Sequence, residues 1–407
     1  MDRIGRPEPG AARLPAMEEV SVSSLAHRPS NRSVQFLAVV SVAVLLAGCS
    51  SAATAAPATL APATAAAASQ AVGEVFASQA PGASCNPANA KTLEYINAQA
   101  VVSRWVFDEG GFKAEAAALC DNAIVIDAGG SADTQSNEVD AAITKHVDAV
   151  VMAPVNIQTA GALYARLKAA GIATVDYNFT VPNATPDYIV DRDSVNTGVI
   201  QAQDAVKAVP AGNYIIIGGD QTYSVALAET QGNLQVLQPY ITAGKIHVVS
   251  QQWNANWSPA TAQAQVEAAL VKTNNNIQAV LSNNDGMAIG AEAALKAQGL
   301  LGKVWIAGVD CDLPNIQAIA EGNQAVCMWN DFTSMGKYAA MAADAAARGI
   351  TLSLPILHNL PNGNVTVPTI QLPNIAVDKA GLCQWLKQYQ WVPFDQAYKF
   401  VSPVPTC

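Results

Sequence analysis

From Lys91 onward, short apolar runs alternate with longer stretches whose apolar positions recur at helical spacing. Residues 93–97, 123–127, 149–152 and 172–177 read as strands. Between them, 104–119, 135–145 and a stretch from Pro154 to Gly171 read as helices. In the first helix Trp105, Phe112, Ala116 and Leu119 fall on one face. The rhythm departs at 188–190 and resumes with a helix over 197–207. A second series then begins, with strands at 214–217, 245–250, 279–281, 304–306 and 325–329. Its helices fall at 225–237, 259–272, 315–321 and 334–348. A proline-containing tail holds one more strand at 369–372 and a helix near 378–390. Strand–helix alternation of this kind predicts an α/β fold with doubly wound parallel sheets, and two series predict two lobes.

The polar residues that follow the apolar runs carry the candidate chemistry. Asn283-Asn284-Asp285-Gly286 follows 279–281, and Gly308-Val309-Asp310 follows 304–306. Each sits where a buried strand ends and a helix begins, the edge at which open α/β sheets bind ligands. Amides and carboxylates there can bridge neighbouring hydroxyl groups. Trp253 and Trp257 offer flat apolar faces, and the combination suits a small sugar. The competing reading is helix capping, which is the preferred one for Asp285. Trp253 is read as core rather than site.

Composition narrows the classes. The chain has 407 residues, enough for two domains, with 51% hydrophobic and 13% charged residues. Its net charge is −10 without a Lys/Arg cluster, which excludes nucleic acid as an expected partner. Arg28 and Arg32 precede an apolar run at 34–46 that is too short for a comfortable membrane span. The run ends Leu46-Ala47-Gly48-Cys49, which resembles a bacterial lipobox. Residues 1–48 are therefore expected to be a signal peptide with an N-terminal extension, and Met17 an alternative start. Cys49 is expected to carry the lipid, a plain secretory signal being the alternative. Residues 49–84, rich in Ala, Thr, Pro and Ser, read as a flexible lipid-anchored tether.

Six cysteines remain after Cys49, and export permits disulfides. Fifteen pairings are open; pairing of sequence neighbours is expected, 85 with 120, 311 with 327 and 383 with 407. No metal-ligand spacing occurs, and neither a metal nor a cofactor is expected. No Gly-x-Ser-x-Gly and no evident acid–nucleophile carboxylate pair supports an exported hydrolase. A repressor of related fold lacks its helix-turn-helix here.

Several short motifs occur in order and nearly without gaps. They include Gly218-Gly219, Gln238-Pro239-Tyr240-Ile241, Gln252-Trp253, Asn274-Asn275-Asn276, Asn284-Asp285, Gln298-Gly299-Leu300 and Asp312-Leu313. Arg104-Trp105, Asp108 and Gly171-Ile172 extend the match into the first half. Together they resemble the xylose-binding branch of the type I periplasmic sugar-binding proteins, from about Lys91 to Arg348. The resemblance implies two lobes joined by three crossing segments, near Asp193, Asn330 and 371–374. The lobes would comprise residues 85–192 with 330–370, and 193–329 with 371–407. It implies a monomer that captures a monosaccharide and delivers it to an ATP-binding-cassette (ABC) import permease outside the cytoplasm. A sensor subunit for signalling or chemotaxis is the alternative.

By the same resemblance Arg104 and Trp105 face the sugar, Trp257 stacks on its ring, and Asn284 and Asp310 bind hydroxyls. This chain departs from the pattern at three places. Asn178-Phe179 replaces Asp-Arg, Asp193-Ser194 replaces Asp-Asn, and Asn330 replaces lysine. Asn178, Phe179, Ser194 and Asn330 are thus site candidates by position, with the loss of one arginine and one lysine donor expected. Phe179 reads equally as pocket wall or core, and Tyr223 and Asn156 are weaker candidates. A changed hydroxyl pattern would put xylose itself in question.

Overall fold

The computed structural model of this chain describes residues 87–99 and 104–407. The leader, Cys49, the tether and Cys85 lie outside the described residues.

Strands β1 (Thr92–Asn97), β2 (Asn122–Asp127), β3 (Ala149–Met152), β4 (Ala173–Tyr177) and β5 (Tyr188–Arg192) come first in the chain. They are followed by β6 (Gly212–Gly218), β7 (Ile246–Trp253), β8 (Ala279–Ser282), β9 (Trp305–Val309) and β10 (Val326–Trp329). The last are β11 (Leu357–Asn362), β12 (Val365–Leu372) and β13 (Ile375–Asp378). Two sheets result, in the orders β11-β12-β5-β4-β3-β1-β2 and β13-β10-β9-β8-β6-β7. All pairings are parallel except β11 with β12 and β10 with β13. The fold is therefore two mostly parallel α/β lobes. Interior strands such as β3 (Ala-Val-Val-Met) are buried at every position, because both faces of a parallel strand are covered.

Three differences from the sequence pattern lie in the later part of each sheet's chain. The segment at 188–190 is a full strand, β5, paired with β4 on one side and β12 on the other. Strand 369–372 is the end of β12, which β11 joins through a hairpin at Gly363-Asn364. The tail helix is Leu382–Tyr389, and the residues before it form strand β13. Partly polar composition and exposed positions hide the edge strands β11 and β13.

The chain passes between sheets three times, between β5 and the helix Ser194–Ala208, after β10, and between β12 and β13. Asn374 ties these passages together. Its Nδ2 donates to the Asp193 carbonyl at 2.7 Å, and its Oδ1 accepts from Asn330 Nδ2 at 2.8 Å and Thr197 Oγ1 at 3.0 Å.

Helix α1 (Trp105–Ala118) crosses helix Phe332–Arg348 backbone to backbone. A Cβ at Gly111 would lie 2.0 Å from the Thr333 carbonyl oxygen, and one at Gly336 1.9 Å from that of Asp108. This approach sets Phe332 under the Arg104 guanidinium, 4.2 Å from ring centre to Cζ. Disulfides join Cys311 to Cys327 and Cys383 to Cys407. Cys120 is also disulfide-bonded; Cys85, its expected partner, is outside the described residues.

Candidate functional site

The C-terminal ends of strands from both sheets face one slot. The first sheet supplies Gln99 after β1, Asn178 and Phe179 after β4, and Arg192 at the end of β5; Arg104 and Trp105 open helix α1. The second supplies Asn283 and Asn284 after β8, Asp310 after β9, and Trp257 in the turn following β7; Val225 adds an apolar wall. The slot encloses about 370 Å³ of empty space, its mouth and adjoining solvent included.

Aromatic rings line its length. Trp105 meets Phe179 edge-on at 5.9 Å between centroids, Phe179 meets Tyr223 at 4.6 Å, and Tyr223 meets Trp257 at 6.1 Å. Trp257 reaches this position through a left-handed turn, with φ of 59° at Asn256 and 53° at Trp257. Its indole lies on the Gly219 backbone, where a Cβ would come within 2.1 Å of the ring.

Polar groups fill the rest. The Arg104 guanidinium is sandwiched between the Trp105 and Phe332 rings, 4.2 Å from each, and 3.9 Å from the Asp108 carboxylate. Neither of its terminal nitrogens has a hydrogen-bond acceptor within the described residues, although both are buried. Burial pushes the Asp108 carboxyl up to about 6, against the pull of Arg104 and the hydrogen bond donated by Tyr177. Arg192 is 5% exposed; its Nη1 donates to Asn178 Oδ1 at 2.8 Å and its Nη2 to Glu229 Oε1 at 2.9 Å. Burial pushes Glu229 up to about 7 despite this cation.

Asn283 Oδ1 accepts from the Gly219 amide and Thr230 Oγ1, leaving its buried Nδ2 without a protein partner. Asn284 caps the helix Asp285–Ala297 through Oδ1, which accepts from the Met287 amide at 2.9 Å. Capping and slot-lining therefore coexist in one side chain. Asp310 has φ of 98° and Cys311 59°. This sharp bend follows a backbone bond from the Asp310 amide to the Met328 carbonyl. Asp310 is not the cap of the next helix; Asp312 stands at that position.

Of the residues named from sequence, the slot gathers Arg104, Trp105, Asn178, Phe179, Trp257, Asn284 and Asp310. It does not gather two others. Asn330 donates to Pro373 and Asn374 at a passage between the sheets. Ser194 opens the helix Ser194–Ala208, with its Oγ buried and unpartnered. Asp285 is wholly buried and accepts from the Asp312 amide, tying the β8 and β9 ends together. Trp253 packs over Gly218. Sequence reading missed Arg192 and Gln99, whereas Asn283 stands in the polar group it singled out. Each lies at a strand end or within two residues of one, and that register was the available signal. A guanidinium nevertheless lines the slot, supplied by Arg192 from β5 beside Asn178.

Two α/β lobes with a polar, aromatic slot between their strand ends define the class of bilobal solute-binding proteins. A family model for the periplasmic binding protein domain matches residues 94–351. The D-xylose-binding periplasmic protein of Escherichia coli is 35% identical over 278 residues, which cover 68% of this chain and 84% of that protein. The D-xylose-binding periplasmic protein of Haemophilus influenzae is 34% identical over 282 residues, covering 69% and 84%. The crystal structure of an ABC transporter solute-binding protein from Clostridium phytofermentans, with bound β-D-glucose, has the same fold. Its TM-score is 0.68 at 22% identity, covering 75% of this chain and all of that one. The chain belongs to the periplasmic binding protein family and is related within it to D-xylose-binding proteins. It is accordingly an extracytoplasmic solute-binding protein, not an enzyme.

Proposed function

We propose that this protein captures a monosaccharide, a xylose-like pentose or a related sugar, between its lobes and delivers it to an ABC import permease. One observation carries the reading: Trp105, Phe179 and Trp257 face the same slot as Arg104, Arg192, Asn178, Asn283, Asn284 and Asp310. Rings cover the C–H faces of a sugar, while guanidinium, amide and carboxylate groups bridge adjacent hydroxyls. Unpartnered N–H groups on Arg104 and Asn283 supply donors that a bound hydroxyl oxygen would satisfy.

In this reading the passages near Asp193, Asn330 and 371–374 act as hinges between lobes 85–192 with 330–370 and 193–329 with 371–407. The sugar favours closure because it touches both lobes. A lipid on Cys49 would hold the monomer at the membrane beside the permease.

A thermal-shift screen with pentoses, hexoses, deoxy sugars and polyols tests the proposal. A ligand that binds only the folded state raises the melting temperature by mass action. A rise with one pentose supports the xylose-like reading, and a rise with another sugar assigns the changed specificity to Asn178, Phe179 and Arg192. No rise with any of them overturns sugar capture.

A further inference from the structure

We infer that Trp391, carried by the C-terminal tail, is a positioning residue that joins the two walls of the slot. The inference rests on the sugar-capture reading only for what the slot holds. The tail belongs to the second lobe. Strand β13 pairs with β10, Gln317 Nε2 donates to the Gln396 carbonyl at 2.8 Å, and Cys383 is bonded to Cys407. From this base Trp391 reaches in two directions.

Toward its own lobe, the indole Nε1–H donates to the Cys311 carbonyl at 2.8 Å. Cys311 directly follows Asp310 in the bend where both residues have positive φ. The Cys311–Cys327 disulfide pins the same bend from the neighbouring strand. Toward the first lobe, the indole lies 3.7 Å from the Phe107 ring, centroid to centroid, at an interplanar angle of 31°. Phe107 is two residues beyond Trp105 on helix α1. Trp391 also contacts Phe332, at 5.8 Å, and Phe332 carries the Arg104 guanidinium on its face.

One buried side chain, 6% exposed, thus backs Arg104 and Trp105 on one wall and Asp310 on the other. It touches none of the slot's interior, so it acts through its neighbours. A pair of stacked rings between lobes can only form when the lobes approach, and it biases the pair toward the closed arrangement.

Amide hydrogen exchange on the whole chain tests this without knowledge of the ligand. Phe107→Ala should accelerate exchange in the peptide spanning 308–313, in the opposite lobe. Trp391→Leu should accelerate exchange both there and at 104–110. Trp391→Phe keeps a ring for Phe107 and loses the N–H, so it should loosen 308–313 and spare 104–110. Strands β3 and β8 should stay as protected as in the wild type, showing that the variants fold. In Phe107→Ala or Trp391→Leu, acceleration confined to the lobe that carries the substitution would overturn the inference. Binding of D-xylose provides the second arm: affinity should fall roughly two- to tenfold in Phe107→Ala. If wild type does not bind D-xylose, that result counts against the sugar assignment, and the exchange pattern still decides the role of Trp391.

Discussion

At the residue scale, the slot combines groups that ordinary folding requirements do not explain. A buried guanidinium with both terminal nitrogens lacking acceptors, as in Arg104, is costly unless something else supplies oxygen atoms. Trp257 and Asp310 are both held in left-handed backbone, which only a surrounding structure can enforce. Replacing either Trp257 or Asp310 with alanine should weaken sugar binding by about tenfold or more, as read by titration calorimetry. Unchanged affinity in both variants would remove the slot as the site. Asn284, Asp310 and Trp257 were legible because amides, carboxylates and indoles follow apolar runs, whereas Arg104, Trp105, Asn178 and Phe179 were named through the family resemblance. Arg192 was not. It ends a strand whose rhythm is broken, and its partners Asn178 and Glu229 lie 14 and 37 positions away. Asn330, also named by position, does not line the slot. Its strand-end position is that of a ligand group, but its amide donates to Pro373 and Asn374, at the crossings that the resemblance placed near Asn330 and 371–374.

At the scale of elements, the strand ends matter more than the strands. Each lobe delivers its polar groups from loops after parallel strands, and the second lobe adds the Trp257 turn over Gly219. The interior strands were legible as continuous apolar runs. The hairpin β11–β12 was obscured by Pro361 and Pro368 inside its strands and by half-exposed positions, although Gly363-Asn364 is a hairpin signal. The passages between lobes depend on one side chain. Asn374→Ala would remove a donor and an acceptor that serve Asp193, Asn330 and Thr197. Denaturant unfolding should show a loss of about 1–3 kcal/mol, since three hydrogen bonds are lost while each partner keeps another. No loss would show that these bonds do not hold the passages.

At the scale of the whole molecule, buried acids set the response to pH. Burial pushes the Asp176 carboxyl up to about 8, against the bond donated by the Val181 amide, and Asp108 up to about 6. Burial, with Glu321 nearby, pushes Glu292 up to about 7. The ordinary values are 3.8 for the aspartates and 4.5 for the glutamate. The folded state therefore holds protons that the unfolded chain has released. These groups contribute their full stability below about pH 4, and it is lost as pH rises through about 6 to 8. The melting temperature should be lower near pH 8.5 than near pH 5. The reverse order would contradict the burial of these carboxyls.

The most direct measurement is a crystal structure of the protein grown with the pentoses, hexoses and polyols of the thermal screen. The account predicts one monosaccharide-sized density between the lobes, with its ring against Trp257 and its hydroxyls on Asp310, Asn284 and a guanidinium of Arg104 or Arg192. Sugar bound elsewhere, with that slot left to solvent, would contradict it.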